Sequence, residues 1–123
     1  MTLMFSILLA VSLQEVPVTE TAACARLTRA AEAERPHLPE MIDPLTRLDD
    51  IQMDCAAKTY VMIKSALGDM KYLREGWRER QQAELRSVVC ESSLRPIEQL
   101  GWHFVEKLRF PRGQEETFVV HCD

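Results

Sequence analysis

The last third of the chain constrains the fold more than any other part. A helix-like run ends at Cys90, Gly101-Trp102 interrupts the pattern, two alternating strand-like runs follow, and Cys122 stands one residue from the end. One thiol closes a helix and another closes a strand, so a single bridge would lock a β-hairpin onto the helix before it. Trp102, Phe104, Leu108 and Phe110 share one face of the first strand, and Phe118, Val120 and Cys122 share one face of the second, because successive strand side chains point to opposite faces. A two-residue turn at Arg112-Gly113 would pair Phe104 with His121 and set these groups on opposite faces. A three-residue loop, Arg112-Gly113-Gln114 with Gly113 left-handed, pairs Phe104 with Cys122 and Leu108 with Phe118. Formation of one core therefore selects the bulged loop and turns Cys122 inward.

The four cysteines Cys24, Cys55, Cys90 and Cys122 are even in number and widely spaced, with no C-x-x-C pair. Such spacing argues against a zinc site or a thioredoxin-like redox motif and for structural bridges in an oxidising compartment. Three pairings are open; we favour Cys24 with Cys55 and Cys90 with Cys122. Closing a loop of about thirty residues removes chain entropy equivalent to roughly 3–4 kcal/mol, a large share of a small domain's stability. Compartment is also indicated by Leu3 to Leu13, an apolar stretch relieved only by Ser6 and Ser12 and followed by Gln14-Glu15. It is too short to span a bilayer but fits the apolar region of an export signal, although no Lys or Arg precedes it and Ala10-Val11-Ser12 is a mediocre cleavage site. The expectation is a signal peptide over residues 1–13 and a single domain over 14–123, periplasmic or secreted, with no transmembrane span in the mature chain. Thr21-Ala22-Ala23-Cys24 has the small residues of a lipoprotein processing site. However, Gln14 to Glu20 separate it from the apolar stretch, and lipidation would leave an odd number of cysteines for bridging.

Between these ends the elements follow from periodicity. Thr19 to Glu34 places Ala23, Leu27, Ala30 and Ala31 on one side of a narrow amphipathic helix that Arg35-Pro36 ends. Pro36, Pro39 and Pro44 mark an ordered connection with Leu38, Met41 and Ile42 as anchors. From Thr46 the period becomes two, with Ile51, Met53 and Cys55 opposite Asp50, Gln52 and Asp54. Thr59 to Ala66 forms a more buried partner strand, joined to the first by Cys55 to Lys58. Lys71 to Cys90 predicts a helix with Leu73, Trp77, Leu85, Val88 and Val89 on its inner stripe, interrupted by Gln81. Asp69 is its candidate N-cap and Gly76 a weak point. A short helical turn beginning near Pro96 ends at Gly101. The expected architecture is α+β: an antiparallel sheet of about four strands with helices packed on one face, stapled by disulfides.

Nothing in the sequence identifies a reaction. A net charge of -4 argues against a nucleic-acid partner, which needs clustered Lys and Arg. The densest basic stretch, Lys71 to Arg86, alternates Arg74, Arg78, Arg80 and Arg86 with Glu75, Glu79 and Glu84 in the manner of a solvated helix face. Nucleophile-elbow, zinc-protease, phosphate-loop and dinucleotide motifs are missing from the sequence. His37, His103 and His121 lack metal-ligand spacing, and the carboxylates Asp49, Asp50, Asp54, Glu115 and Glu116 read as strand charges that discourage aggregation. No cofactor or metal is expected. Trp77 and Trp102 are expected in the core; a helix-sheet cleft with Trp77, Trp102 and Phe104 as partner-binding residues is the functional alternative.

Leu38-Pro39-Glu40-Met41-Ile42-Asp43 with Thr46-Arg47-Leu48, Tyr60 in a strand, Cys90, Leu100-Gly101 and the terminal Cys122 together resemble small exported bacterial proteins of poorly defined function. The stretch from Cys90 to Cys122 also looks like the alternate-type pilotins of type II secretion. That resemblance implies a compact bridged α+β domain that binds a helical tail of the outer-membrane secretin and escorts it. The leading expectation is an exported, non-catalytic protein-binding domain assisting envelope or secretion-system assembly, with another envelope protein as partner, met through a helix-sheet groove or an open sheet edge. The alternative is a periplasmic inhibitor or immunity protein that blocks a hydrolase. An apolar groove favours the first, an exposed acidic loop cluster the second, and recessed convergent polar residues a small enzyme. Peptide mapping of the unreduced native protein is expected to recover Cys24 linked to Cys55 and Cys90 linked to Cys122. Free thiols at all four positions would remove the basis for a stapled domain.

Overall fold

The computed structural model describes residues 18–123, so the expected signal peptide lies outside the described residues. Helix α1, Glu20–Glu34, begins where the Thr19 hydroxyl accepts a hydrogen bond from the Ala22 backbone N–H at 3.1 Å, and it buries Ala23, Leu27 and Ala31. Pro36 then allows only a short 3-10 turn, Arg35–His37. Beyond it lies a five-stranded sheet ordered β1-β2-β3-β4-β5, with β1 Glu40–Asp43, β2 Thr46–Asp54, β3 Thr59–Ala66, β4 His103–Arg109 and β5 Glu115–Val119. Neighbours are antiparallel except β3 and β4, which run parallel. A parallel pair needs a long crossover, and here it carries helices α2, Trp77–Cys90, and α3, Arg95–Glu98.

The α+β class and the disulfide staples match expectation, while the strand count and one pairing differ. The extra strand is β1, formed within the proline-punctuated segment. All four of its residues are exposed, so Met41 and Ile42 are not anchors. An edge strand with neither face buried carries no hydrophobic alternation, which is why the pattern of its sequence looks like a loop. Asp43 closes the turn into β2 by accepting from the Leu45 N–H at 2.8 Å. The hairpin of β2 with β3 forms as expected. Its four-residue connection is held by the Asp54 carboxylate, which accepts from Ala56 and Ala57 N–H at 2.9 and 3.1 Å, and by left-handed Lys58.

Helix α2 starts at Trp77, six residues later than expected. Gly76 is its left-handed N-cap (φ 79°) rather than a weak point inside it, and Asp69 caps a separate 3-10 turn, Met70–Tyr72. Leu73 consequently lies outside the helix, and Val88 is exposed while Leu85, Val89 and Cys90 are buried. The C-terminal hairpin keeps the expected faces but shifts by two residues: Phe118 lies opposite Glu106 and Glu116 opposite Leu108. The loop is Pro111-Arg112-Gly113. Gly113 N–H donates to the Phe110 carbonyl at 2.9 Å and Phe110 N–H to the Gln114 carbonyl at 2.8 Å. Pro111 has no N–H to give a ladder and suits the first corner of a type I turn, so the loop begins one residue earlier, with Gly113 (φ 86°) in the left-handed position.

The described helices lie on one face of the sheet. There Trp102, Phe104, Leu108, Phe110, Phe118 and Val120 meet Ala23 and Leu27 of α1, Leu85 and Val89 of α2, and Ile97 of α3. The opposite face carries Arg47, Asp49, Ser65, Lys107 and Arg109, with Ile63 buried among its strand neighbours Asp50 and Lys107. A bulge between Leu48 and Asp50 brings Asp49 beside the Arg47 guanidinium (2.5 Å) and the Ser65 hydroxyl. Burial alone would raise the Asp49 pKa, but the Ser65 and Arg47 hydrogen bonds, with the positive charges of Arg47 and Arg109, outweigh it and hold the carboxyl below its ordinary value. A group more acidic in the folded chain contributes stability above its unfolded pKa of about 4 and loses that contribution as pH falls through the folded value. Urea denaturation is therefore expected to find Asp49→Asn less stable than the parent at pH 7, with the gap closing below about pH 4.

Candidate functional site

Helix α2 is fastened over the β4-β5 side of the sheet. Gln82 Nε2 donates to the Val119 carbonyl at 2.8 Å, and Arg78 donates to Glu116 from Nε and Nη2 at 3.0 and 2.7 Å. These bonds hold the Glu116 carboxyl below its ordinary range. Helix α1 is fastened at the other end of the sheet, with Arg35 donating to the Ile51 carbonyl at 3.2 Å and Lys58 Nζ to Glu20 at 2.6 Å. Where β2 begins and β3 ends, a cleft of about 620 Å³ opens. Leu108 of β4, Phe110 just beyond its end and Ala66 of β3 line it from the sheet, while Trp77, Arg80, Gln81 and Glu84 of α2 form one wall. Asp43, Leu45 and Thr46 of the β1-β2 turn form another, and Asp69, Tyr72 and Leu73 close the end. Trp77 is set edge-on against Phe110 and Phe118, with ring centroids 5.6 and 6.1 Å apart. At the mouth, Leu45 and Tyr72 are 65% and 78% exposed, and Leu73 joins them.

The apolar floor is broken at one place. Glu106 is only 1% exposed on the helix-covered face of β4; Lys64 of β3 forms an ion pair with its Oε1, and Gln81 Nε2 of α2 donates to its Oε2 at 2.7 Å. A buried carboxylate is tolerated only when its oxygens are matched by donors. Gln81 interrupts the apolar stripe of α2 because the helix crosses the sheet over this carboxylate. A smaller hollow of about 100 Å³ beside Met62, Leu85 and Val88 shares Gln81 and Glu84 with the main cleft, so Gln81 partitions the two.

Of the expected partner-binding residues, Trp77 lines the cleft. Trp102 and Phe104 are each 2% exposed and line no part of it. They build the core beneath the helices and cannot touch a partner while the domain is folded. Sequence reasoning missed Leu45, Tyr72 and Gln81 as a group, since they come from a turn, a 3-10 segment and a helix that only tertiary packing brings together. The one available signal was the polar break that Gln81 makes in its stripe. The bridges are Cys24–Cys55 and Cys90–Cys122, each with Cα atoms 5.6 Å apart. The strand carboxylates serve structure: Asp54 holds a turn, Asp50 accepts from the Ile51 N–H, and Glu115 and Glu116 pair separately with Arg109 and Arg78. Among the described residues, no three His, Cys, Asp or Glu side chains converge as a metal site, and no helix is long and apolar enough to cross a membrane.

No protein-family model matches the chain, and no curated protein matches it in sequence. Two solved structures share its fold. A candidate secreted protein from Pseudomonas aeruginosa superposes with a TM-score of 0.62 at 12% identity, over 85% of this chain and 93% of that one. The pilotin EpsS of the Vibrio vulnificus type 2 secretion system superposes with a TM-score of 0.57 at 17% identity, over 80% of this chain and 89% of that one. The chain thus has the α+β fold that these two structures share.

The floor network generates a stability test. Lys64→Ala leaves Glu106 buried without its cation and is expected to cost about 3 kcal/mol in chemical denaturation. Replacing the pair together, Lys64→Met with Glu106→Leu, is expected to recover most of that loss. Equal destabilisation by the single and double changes would show that packing rather than an orphaned charge is responsible.

Proposed function

We propose that this chain is an exported, non-catalytic protein-binding domain that receives an apolar segment of an envelope protein in the cleft between α2 and the β1-β2 turn, as a pilotin-like assistant of secretion-system assembly. The observation that carries this reading is the cleft itself: an apolar floor, an aromatic wall and apolar side chains held in water at the mouth. Such a surface is stabilised when a partner covers it. Two disulfides suit an oxidising compartment outside the cytosol, and the fold shared with a pilotin and with a candidate secreted protein supports the same setting.

The sheet edges are poorer docking sites than the cleft. Strand β1 is four residues long, is bulged at Ile42 and carries Glu40 and Asp43 at its ends, all features that discourage strand addition. On the other edge, Gln82 of α2 occupies the Val119 carbonyl of β5. An inhibitor built on an acidic loop cluster is supported less well, because Asp43, Asp54 and Asp69 are each engaged in a turn, cap or ion pair.

Leu73 and Tyr72 contribute little to the core, so Leu73→Asp with Tyr72→Asp is expected to leave the melting temperature within about 2 °C. The same change is expected to weaken binding of the envelope partner at least tenfold, about 1.4 kcal/mol. The check is affinity capture from envelope extract followed by titration of the recovered protein against parent and variant. Recovery of the same protein with equal affinity by both, or of none by either, would count against the cleft as the binding site.

A further inference from the structure

Away from the cleft, strand register brings two histidines together. Val105 of β4 lies opposite Val119 of β5, and the pairing runs one residue further, where the Val120 N–H donates to the Phe104 carbonyl at 3.0 Å. The next residues outward, His103 and His121, therefore stand opposite each other. Phe104 and Val120 are buried in the core, so by alternation both imidazoles emerge on the face without helices, and both residues are exposed. Hydrogen-bonded and non-hydrogen-bonded pairs alternate along an antiparallel ladder. Because Phe104 and Val120 are joined by a hydrogen bond, the histidines occupy a non-hydrogen-bonded position, where opposed Cα atoms are only about 4.5 Å apart and side chains approach most closely. The His103 N–H agrees with this placement, since it points away from β5 and donates to the Lys58 carbonyl at 2.8 Å.

Both positions are fixed by their neighbours. His103 is tied to β3 through Lys58, and His121 sits between the Val120 hydrogen bond and Cys122, which the bridge to Cys90 holds toward the helices. Neutral imidazole is a common ligand of zinc, copper and nickel. A tetrahedral zinc ion holds nitrogens at about 2.0–2.1 Å and so needs two of them roughly 3.3 Å apart, a gap that imidazoles on opposed strand positions close by rotating their side chains. The cations of the same corner are already neutralised: Lys58 Nζ pairs with Glu20 at 2.6 Å, and Arg86 pairs with Asp123. We propose that His103 and His121 form a two-histidine site for a divalent transition-metal ion such as zinc, with water filling the coordination positions that face away from the sheet. Two protein ligands make this an exchangeable surface site, unlike the closed four-ligand sites that hold structural zinc. It lies at the start of β4 on the face opposite the helices, so it is separate from the cleft and does not depend on the cleft's occupant.

The test is a calorimetric titration of the untagged, disulfide-bonded protein with ZnCl2 in a buffer that does not chelate the metal. The parent is expected to take up one zinc ion per chain. His103→Asn and His121→Asn are each expected to weaken binding by more than about tenfold, since even the outer-shell partners of a metal ligand are commonly worth that much. His37→Asn changes the third histidine of the chain, in the 3-10 turn after α1, and is expected to leave the affinity as it was. All three positions are exposed, so the variants are expected to melt within about 2 °C of the parent without metal. Zinc is expected to raise the melting temperature of the parent and of His37→Asn, and to raise that of the other two variants less. Absence of zinc uptake by the parent, equal uptake by the parent and both strand variants, or a loss confined to one of the two would overturn the chelate.

Discussion

The helices of the domain are held by one strip of side chains on one face of the sheet. Trp102, Phe104, Leu108, Phe110, Phe118 and Val120 supply that strip, and each is nearly inaccessible to water. Because they alternate along β4 and β5, their burial forces the other residues of those strands onto the opposite face, where Lys107, Arg109 and Glu115 stay polar. The parity of a single hairpin thus decides which side receives helices. Fully burying a large apolar side chain contributes about 1.5–3 kcal/mol, so a one-residue slip that turned this set outward would cost more than a small domain's whole net stability.

The cleft follows from how two helices cover that strip. Each is tied near one edge, α1 through the Cys24–Cys55 bridge and α2 through Cys90–Cys122 and the Gln82 bond to β5. Fastening them apart leaves the start of β2 and the end of β3 uncovered between α2 and the β1-β2 turn. A core packed to uniform density would have filled that space. Instead, Trp77 props one wall on Phe110 and Phe118, and Gln81 stands on the buried Glu106–Lys64 pair. Replacing such a pair with apolar side chains is often neutral or stabilising, so its presence points to position rather than net stability: it sets where α2 crosses the sheet and where the cleft ends.

Much of the fold can be read directly from residue order. Alternation at Ile51, Met53 and Cys55 marks β2; alternation at Phe104, Leu108 and Phe110 marks β4 and its face; Arg35-Pro36 ends α1. Reading fails where the determining contact is remote. The segment of β1 shows no alternation because neither of its faces is buried. The start of α2 at Trp77 depends on Gly76 adopting a left-handed cap that its position inside an apparently continuous helical pattern conceals. The register of the last hairpin turns on Pro111, whose missing N–H moves the loop by one residue and the pairing by two.

Chain order alone therefore establishes the α+β class, the bridging capacity of four well-separated cysteines and the face of the C-terminal hairpin that must be buried. All of these follow from local periodicity and from what each residue type can do by itself. Tertiary structure decides the parallel insertion of β3 beside β4, the meeting of Lys64, Gln81 and Glu106, and the assembly of Leu45, Tyr72, Leu73 and Trp77 around one cavity. Those residues come from separate elements, and their neighbourhood exists only after the crossover has closed. No periodicity encodes it, because it is a property of where the helices come to rest rather than of any one of them.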